Sequence, residues 1–255
     1  MGRTIQDRRA RLLELLAADI PAGSGGRTLV AVDGVDGSGK STFAAGLAAA
    51  VRGRPVVLIH ADDFLNLRAV RHRRGRQSPE GFWLDTYDYG SLLDYALLPL
   101  GRGGSGLYRP AATDYGTDRY VEVPAVQSAA DALVIVEGMF LHRDELVAVW
   151  DYSVFLDVPF AETARRMHKR DGTNPDPEHP SMARYVGGQR LYFEAAQPWR
   201  RASRVVDNSN PIKPRVMAAE DVGRRLRVHA PAEGECGVPV LELHDAETGT
   251  RDAST

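Results

Sequence analysis

Eight residues, GVDGSGKS from Gly34 to Ser41, constrain this chain more than any others. They fill every fixed position of the pattern G-x-x-x-x-G-K-[ST]. The flanks agree with it. TLVAVDG (28–34) is a short apolar run with β-branched residues, bounded by glycine, and reads as a buried parallel strand. KSTFAAGLAAAVR (40–52) is alanine-rich, with Phe43, Leu47 and Val51 on one face, and reads as a helix. Bare glycines let successive backbone N–H groups point at one anion, and the following helix adds its positive end. Lys40 can reach β- and γ-phosphates, and the Ser41 hydroxyl can hold Mg²⁺. The expected ligand is therefore ATP with Mg²⁺, cradled by Gly34, Asp36, Gly37, Ser38, Gly39, Lys40, Ser41 and Thr42. A dinucleotide fold is the rival, but the glycines fall as G-x-x-G-x-G, and a Lys-Ser pair has no role there.

The rest of the chain alternates buried strands with amphipathic helices. Residues 4–18 have helical spacing, and PAGSGG (21–26) breaks it. Further strands are expected at PVVLIHADD (55–63), LVIVEG (133–138), YSVFLDVP (152–159) and RVVDN (204–208). Helices are expected at about 160–171 and 182–197, joined by the Pro-rich segment TNPDPEHP (173–180). This alternation predicts an α/β P-loop fold: a doubly wound parallel sheet of about five strands, helices on both faces and a lid. The domain reading is an N-terminal helix and linker (1–26), a kinase-type core (27–228) and a polar extension (229–255) in which VPVLELH (238–244) could add a strand. The region between the second and third strands reads as irregular, with the basic run RAVRHRRGRQSPE (68–80) and a Gly-rich, polar stretch at 101–119.

A phosphate loop binds a nucleotide without saying what becomes of the phosphate. The chain has no N-K-x-D for guanine and no second Gly-rich motif of the ABC type. Carboxylates narrow the choice. His60-Ala61-Asp62-Asp63-Phe64 ends the second strand, at the sheet edge where such folds bind ligands. A carboxylate there can accept the proton of an attacking hydroxyl. Either acid could instead cap the following turn, and Asp62 is the stronger candidate. Glu137 ends the third strand, where a second Mg²⁺-binding carboxylate is expected. In AETARRMHKRD (161–171), Arg166 and Arg170 lie four apart and are expected to close over the transferring phosphoryl group.

In this order, GVDGSGKST, HADDFLN, PEGFWLDTYDYGSLL, VEGMFLHRDEL, FLDVPFAETARRMHKRDG and RYVGGQRLYFEAAQPWRRASRVVDNSN resemble the uridine kinase and phosphoribulokinase family of P-loop kinases, and uridine kinases above all. The resemblance implies transfer of the γ-phosphoryl of ATP to the 5′-OH of a pyrimidine nucleoside. It implies Asp62 as base, Ser41, Asp62 and Glu137 around Mg²⁺, and Lys40, Arg166 and Arg170 on the phosphates. Acceptor contacts implied are Asp85 for the sugar, Tyr115 and Arg119 for the base, and Arg184, Gln189 and Tyr192 alongside. The sequence departs from the family in its lid, DGTNPDPEHP, and in lacking a histidine near Tyr115. A same-fold kinase of another alcohol (pantothenate, a phosphosugar, nicotinamide riboside, a biosynthetic intermediate) and a non-catalytic ATP-binding regulator are the alternatives.

The balance of 32 basic and 34 acidic residues, net −2, disfavours a nucleic-acid partner. The single cysteine, Cys236, can form neither an internal disulfide nor a metal cluster. The first twenty residues lack the apolar stretch of a signal peptide and no run is long enough for a membrane span, so a cytoplasmic protein is expected. Uridine kinases are often oligomers, which leaves a homo-oligomer open.

Overall fold

TLVAVDG forms a strand because both faces of it can be buried. In β1 (Thr28–Gly34), Leu29 and Ala31 face one half of the core while Val30 and Val32 face the other. The computed structural model describes residues 2–22 and 26–222. The polar extension and its VPVLELH strand lie outside these residues.

Around β1 the chain lays down β2 (Val56–His60), β3 (Leu133–Gly138), β4 (Tyr152–Asp157), β5 (Arg204–Asp207) and β6 (Arg215–Met217) in the order β6-β5-β4-β1-β3-β2. The first five are parallel, as expected. β6 pairs antiparallel with β5 and extends the sheet by one strand that the sequence pattern did not announce. β2 stops at His60, three residues short of the expected end, because Ala61–Phe64 coil into a 3₁₀ turn.

Helices cover both faces. On one side lie α1 (Gly2–Asp19) and α2 (Lys40–Ala50), with Leu13, Leu16, Phe43 and Leu47 buried against β1, β3 and β4. Phe43 and Leu47 are fully buried, each worth about 1.5–3 kcal/mol of burial. On the other side lie α3 (Pro79–Asp85), a helical run from Tyr89 to Leu100, and α5 (Ala183–Ala196). α4 (Phe160–Asp171) follows β4 and leads into the 172–180 segment through Gly172, a left-handed residue at φ 73°. No helix among the described residues is long and apolar enough to cross a membrane.

Two local features explain why the middle of the chain reads poorly as sequence. α3 starts with Pro79 and a Ser78 hydroxyl that accepts from Gly81 N at 3.0 Å, a well-made cap, but its partner is α5, a hundred residues away. They meet closely because α5 has Gly188, where a Cβ would lie 2.7 Å from the Pro79 carbonyl. The run from Tyr89 to Leu100 contains a π-helical stretch, Leu93–Leu97. Pro99 cannot donate to Tyr95 O, and that carbonyl is taken instead by Arg109 N at 2.8 Å.

Candidate active site

The loop after β1 turns at Gly37 (φ 76°) and Gly39 (φ 88°), both in the left-handed region that favours glycine. Gly37 is doubly required, because a Cβ there would lie 2.8 Å from Thr163 O on α4. The turn is closed by Ser38 N donating to Val35 O at 3.0 Å. Lys40 Nζ donates to the same carbonyl, also at 3.0 Å. Three side chains brace the loop from outside. Asn208 Nδ2 donates to Ser38 O at 2.7 Å, Gln189 Oε1 accepts from Asp36 N at 2.9 Å, and Arg166 donates to the carbonyls of Gly37 and Ser38 at 3.3 Å. Ser38 Oγ, Asn208 Oδ1 and Ser209 Oγ are buried with no hydrogen-bond partner among the described residues. A Gly-rich cradle at a helix N-terminus with unspent polar atoms beside it fits a polyphosphate nucleotide.

Beneath the loop, Asp33 is fully buried. It accepts from Gly34 N at 2.6 Å, His142 N at 3.2 Å, His142 Nδ1 at 2.7 Å and the Tyr192 hydroxyl. One carboxylate thus ties together β1, the segment after β3 and α5. Burial, then the Asp33 charge, pushes the Tyr192 phenol well above its ordinary value, so it stays a donor.

The expected carboxylates assemble at the same edge. Asp62 is exposed in the turn after β2, and its Oδ1 accepts from the Tyr87 hydroxyl at 2.7 Å. Tyr87 is buried and also accepts from Met139 N at 3.3 Å, one residue beyond β3. Glu137 is buried on β3 and pairs with His60 Nδ1 at 2.7 Å. Burial pushes the Asp63 carboxyl up; His60 opposes this, and Asp62 and Glu137 add to it by repulsion. This concentration of negative charge suits a divalent cation. Mg²⁺ takes one or two carboxylates plus phosphates and water, donors that Ser41, Asp62 and Glu137 would supply. Among the described residues no group of three or more His, Cys, Asp or Glu side chains forms a metal cage.

The two arginines of α4 part company. Arg170 is exposed and reaches Asp36 of the loop at 3.3 Å. Arg166 is mostly buried, and besides the two loop carbonyls it donates to Asn208 O and Ser209 O at 2.9 Å and to Glu162 at 2.8 Å. Arg166 is thus engaged by backbone carbonyls of the loop and of the segment after β5, and Arg170 by a loop side chain.

The expected acceptor contacts divide in the same way. Tyr115 and Arg119 are exposed on the short hairpin of Thr113–Asp114 and Arg119–Tyr120. Asp85 is buried, and its carboxylate is held by Arg73 and Arg74 of the basic run. Arg184 is buried and donates to Ser78 O at 3.3 Å and Arg71 O at 3.0 Å. Gln189 and Tyr192 are buried, engaged by the loop and by Asp33. Arg184, Gln189 and Tyr192 form the framework behind the site. Asp33, Tyr87 and His142 were missed by sequence reasoning; a carboxylate set inside an apolar strand was the one available signal, at Asp33.

A parallel strand, a Gly-rich loop and a helix, with a second acidic strand end beside them, define a P-loop nucleotide-binding fold. Solved structures of P-loop kinases share this fold. A structure of a possible uridine kinase from Bacillus stearothermophilus superposes with TM-score 0.60 at 24% identity, over 77% of this chain and 96% of that one. A candidate fructose transport system kinase from Silicibacter sp. TM1040 gives 0.59 at 26% identity, over 74% and 95%. The fold is that of the uridine kinase/phosphoribulokinase-like P-loop kinases. No family model and no curated protein matches the chain.

Proposed function

We propose that the protein transfers the γ-phosphoryl group of ATP to a hydroxyl of a small molecule. The observation that carries this is Asp62: an exposed carboxylate, oriented by a buried tyrosine, at the edge where the phosphate loop ends. A nucleotide switch needs no base for a hydroxyl, whereas an attacking alcohol needs a carboxylate to take its proton. In this reading the loop amides and Lys40 bind the phosphates, with Lys40 leaving Val35 O to do so. Mg²⁺, held by Ser41, Glu137 and Asp62, would neutralise charge on the phosphates. Asp62 orients the hydroxyl and accepts its proton. Arg170, paired with Asp171 and Asp36, is the α4 arginine assigned to the transferred group, and Arg166 keeps the loop in shape.

At the finer level, the family resemblance and the likeness to a possible uridine kinase suggest uridine or cytidine as acceptor, with the exposed Tyr115 and Arg119 as base contacts. The pairing of Asp85 with Arg73 and Arg74 favours another alcohol, since the carboxylate expected to bind the sugar is already neutralised. The test is ADP release from Mg·ATP across a panel of alcohols. Asp62→Asn should lower acceptor-dependent release at least 100-fold while ATP binding persists. Near-normal turnover in that variant would remove Asp62 as the base, and ATP binding without release for any alcohol would defeat the kinase reading.

A further inference from the structure

Resting on that kinase reading, we propose that the acceptor alcohol also carries an anionic group, a carboxylate or a phosphate, which binds Arg71 beside Tyr115. The wall next to Asp62 is built from three pieces that the backbone ties to the catalytic turn. The hairpin bearing Tyr115 hangs from it through Ala112 N to Asp63 O at 2.9 Å and Thr113 Oγ1 to Leu65 O at 2.9 Å. The helical turn Arg68–Arg71 follows it directly and is pinned to the hairpin by Arg68 N donating to Asp118 Oδ1 at 2.8 Å. Asp85 lies two residues before Tyr87, whose hydroxyl is on Asp62.

This wall is rich in positive charge. Six guanidinium groups (Arg68, Arg71, Arg73, Arg74, Arg76 and Arg184) meet only three carboxylates among the described residues, Glu80, Asp85 and Asp118. Arg71 alone of the six has a buried donor without a partner among the described residues. Its side chain is 12% exposed, its contact to Asp118 is long at 3.5 Å, and its Nε is buried with no hydrogen-bond partner among the described residues. Its guanidinium lies 5.0 Å from the centre of the exposed Tyr115 ring, a cation–π contact. Burial, and after it the charges of Arg184, Arg71, Arg76 and Arg68, lower the His72 value. A partly buried guanidinium with an unused donor is the group that recognises carboxylate or phosphate oxygens. A neutral nucleoside would leave it unsatisfied.

The experiment compares binding and turnover of matched alcohols that differ only in the acid: glycerate or glycerol 3-phosphate against glycerol, and ribose 5-phosphate against ribose. Calorimetric titration in the presence of Mg·ADP reads the recognition, and the two kinds of acid separate a carboxylate site from a phosphate site. At least one acidic member should bind tenfold or more tighter than its neutral partner. Arg71→Gln should weaken that member about 10- to 150-fold, and Arg71→Lys much less. Equal binding within every pair, no binding of any acidic member, or a preference unchanged by Arg71→Gln would overturn the proposal. The wild-type comparison stands without the variants. ADP release measured on the same pairs reports the kinase reading separately: acid-selective binding with no release sinks that reading alone, and release from neutral alcohols at equal efficiency sinks only the anionic acceptor.

Discussion

Arg166→Met offers the sharpest separation between a brace and a catalytic cation. The side chain is 17% exposed and donates to four backbone carbonyls on two segments, Gly37 and Ser38 of the loop and Asn208 and Ser209 after β5. It also pairs with Glu162, whose side chain is 25% exposed. Hydrogen bonds to a charged group are worth about 1.5–3 kcal/mol each, but they are not additive on one guanidinium, and carbonyls near the surface regain water. Methionine keeps part of the stem's packing. The net expectation is a loss of about 3 kcal/mol, equivalent to a fall in melting temperature of about 6–12 °C for a chain of this size. Because two of the carbonyls belong to the phosphate loop, ATP affinity should fall as well, by about tenfold or more. Urea unfolding and ATP titration measure both. A variant with unchanged stability and ATP affinity but with turnover abolished would refute the bracing argument and restore Arg166 as a cation on the transferred phosphoryl group.

Two further outcomes follow from the same geometry. Tyr87→Phe removes the donor to Asp62 and leaves Met139 N without its acceptor; stability should drop by about 1–3 kcal/mol and acceptor-dependent kcat by about tenfold, with the ATP KM little changed, and an unaltered kcat would show that Tyr87 does not orient Asp62. Glu162 is held down to about 2 by Arg165 first and by Arg166 as well, against an ordinary 4.5. Its folded value lies below the unfolded one, so ionised Glu162 stabilises the fold above about pH 4.5 and that contribution disappears as pH falls toward 2; Glu162→Gln should flatten stability against pH in this window, and an unchanged slope would rule the pair out as a source of acid sensitivity.

The parallel core was legible because its signals are local. β1, β3 and β4 are apolar runs, and the loop between β1 and α2 has a fixed pattern set by glycine geometry. Asp62, Glu137 and Asp36 could be placed at one edge because strand ends in a parallel sheet share an edge. The direction of a side chain on a helix could not be placed. Arg166 and Arg170 share a helical face by spacing, yet one is drawn under the loop by carbonyls that come from residues 208 and 209, forty positions away. Asp85 and Gln189 carry the residue types of acceptor contacts, but tertiary partners in the basic run and the loop claim them. β6 escaped notice because three residues, RVM, with two of them exposed, make no pattern of their own.

The Lys40 ammonium is docked on Val35 O, a carbonyl of its own loop. ATP binding is therefore an exchange of partners. The affinity measured is the difference between two attractions, and the lysine has little rotational freedom left to lose when the phosphates arrive. A neutral carbonyl leaves the ammonium its full charge, so the exchange favours phosphate oxygens over Val35 O.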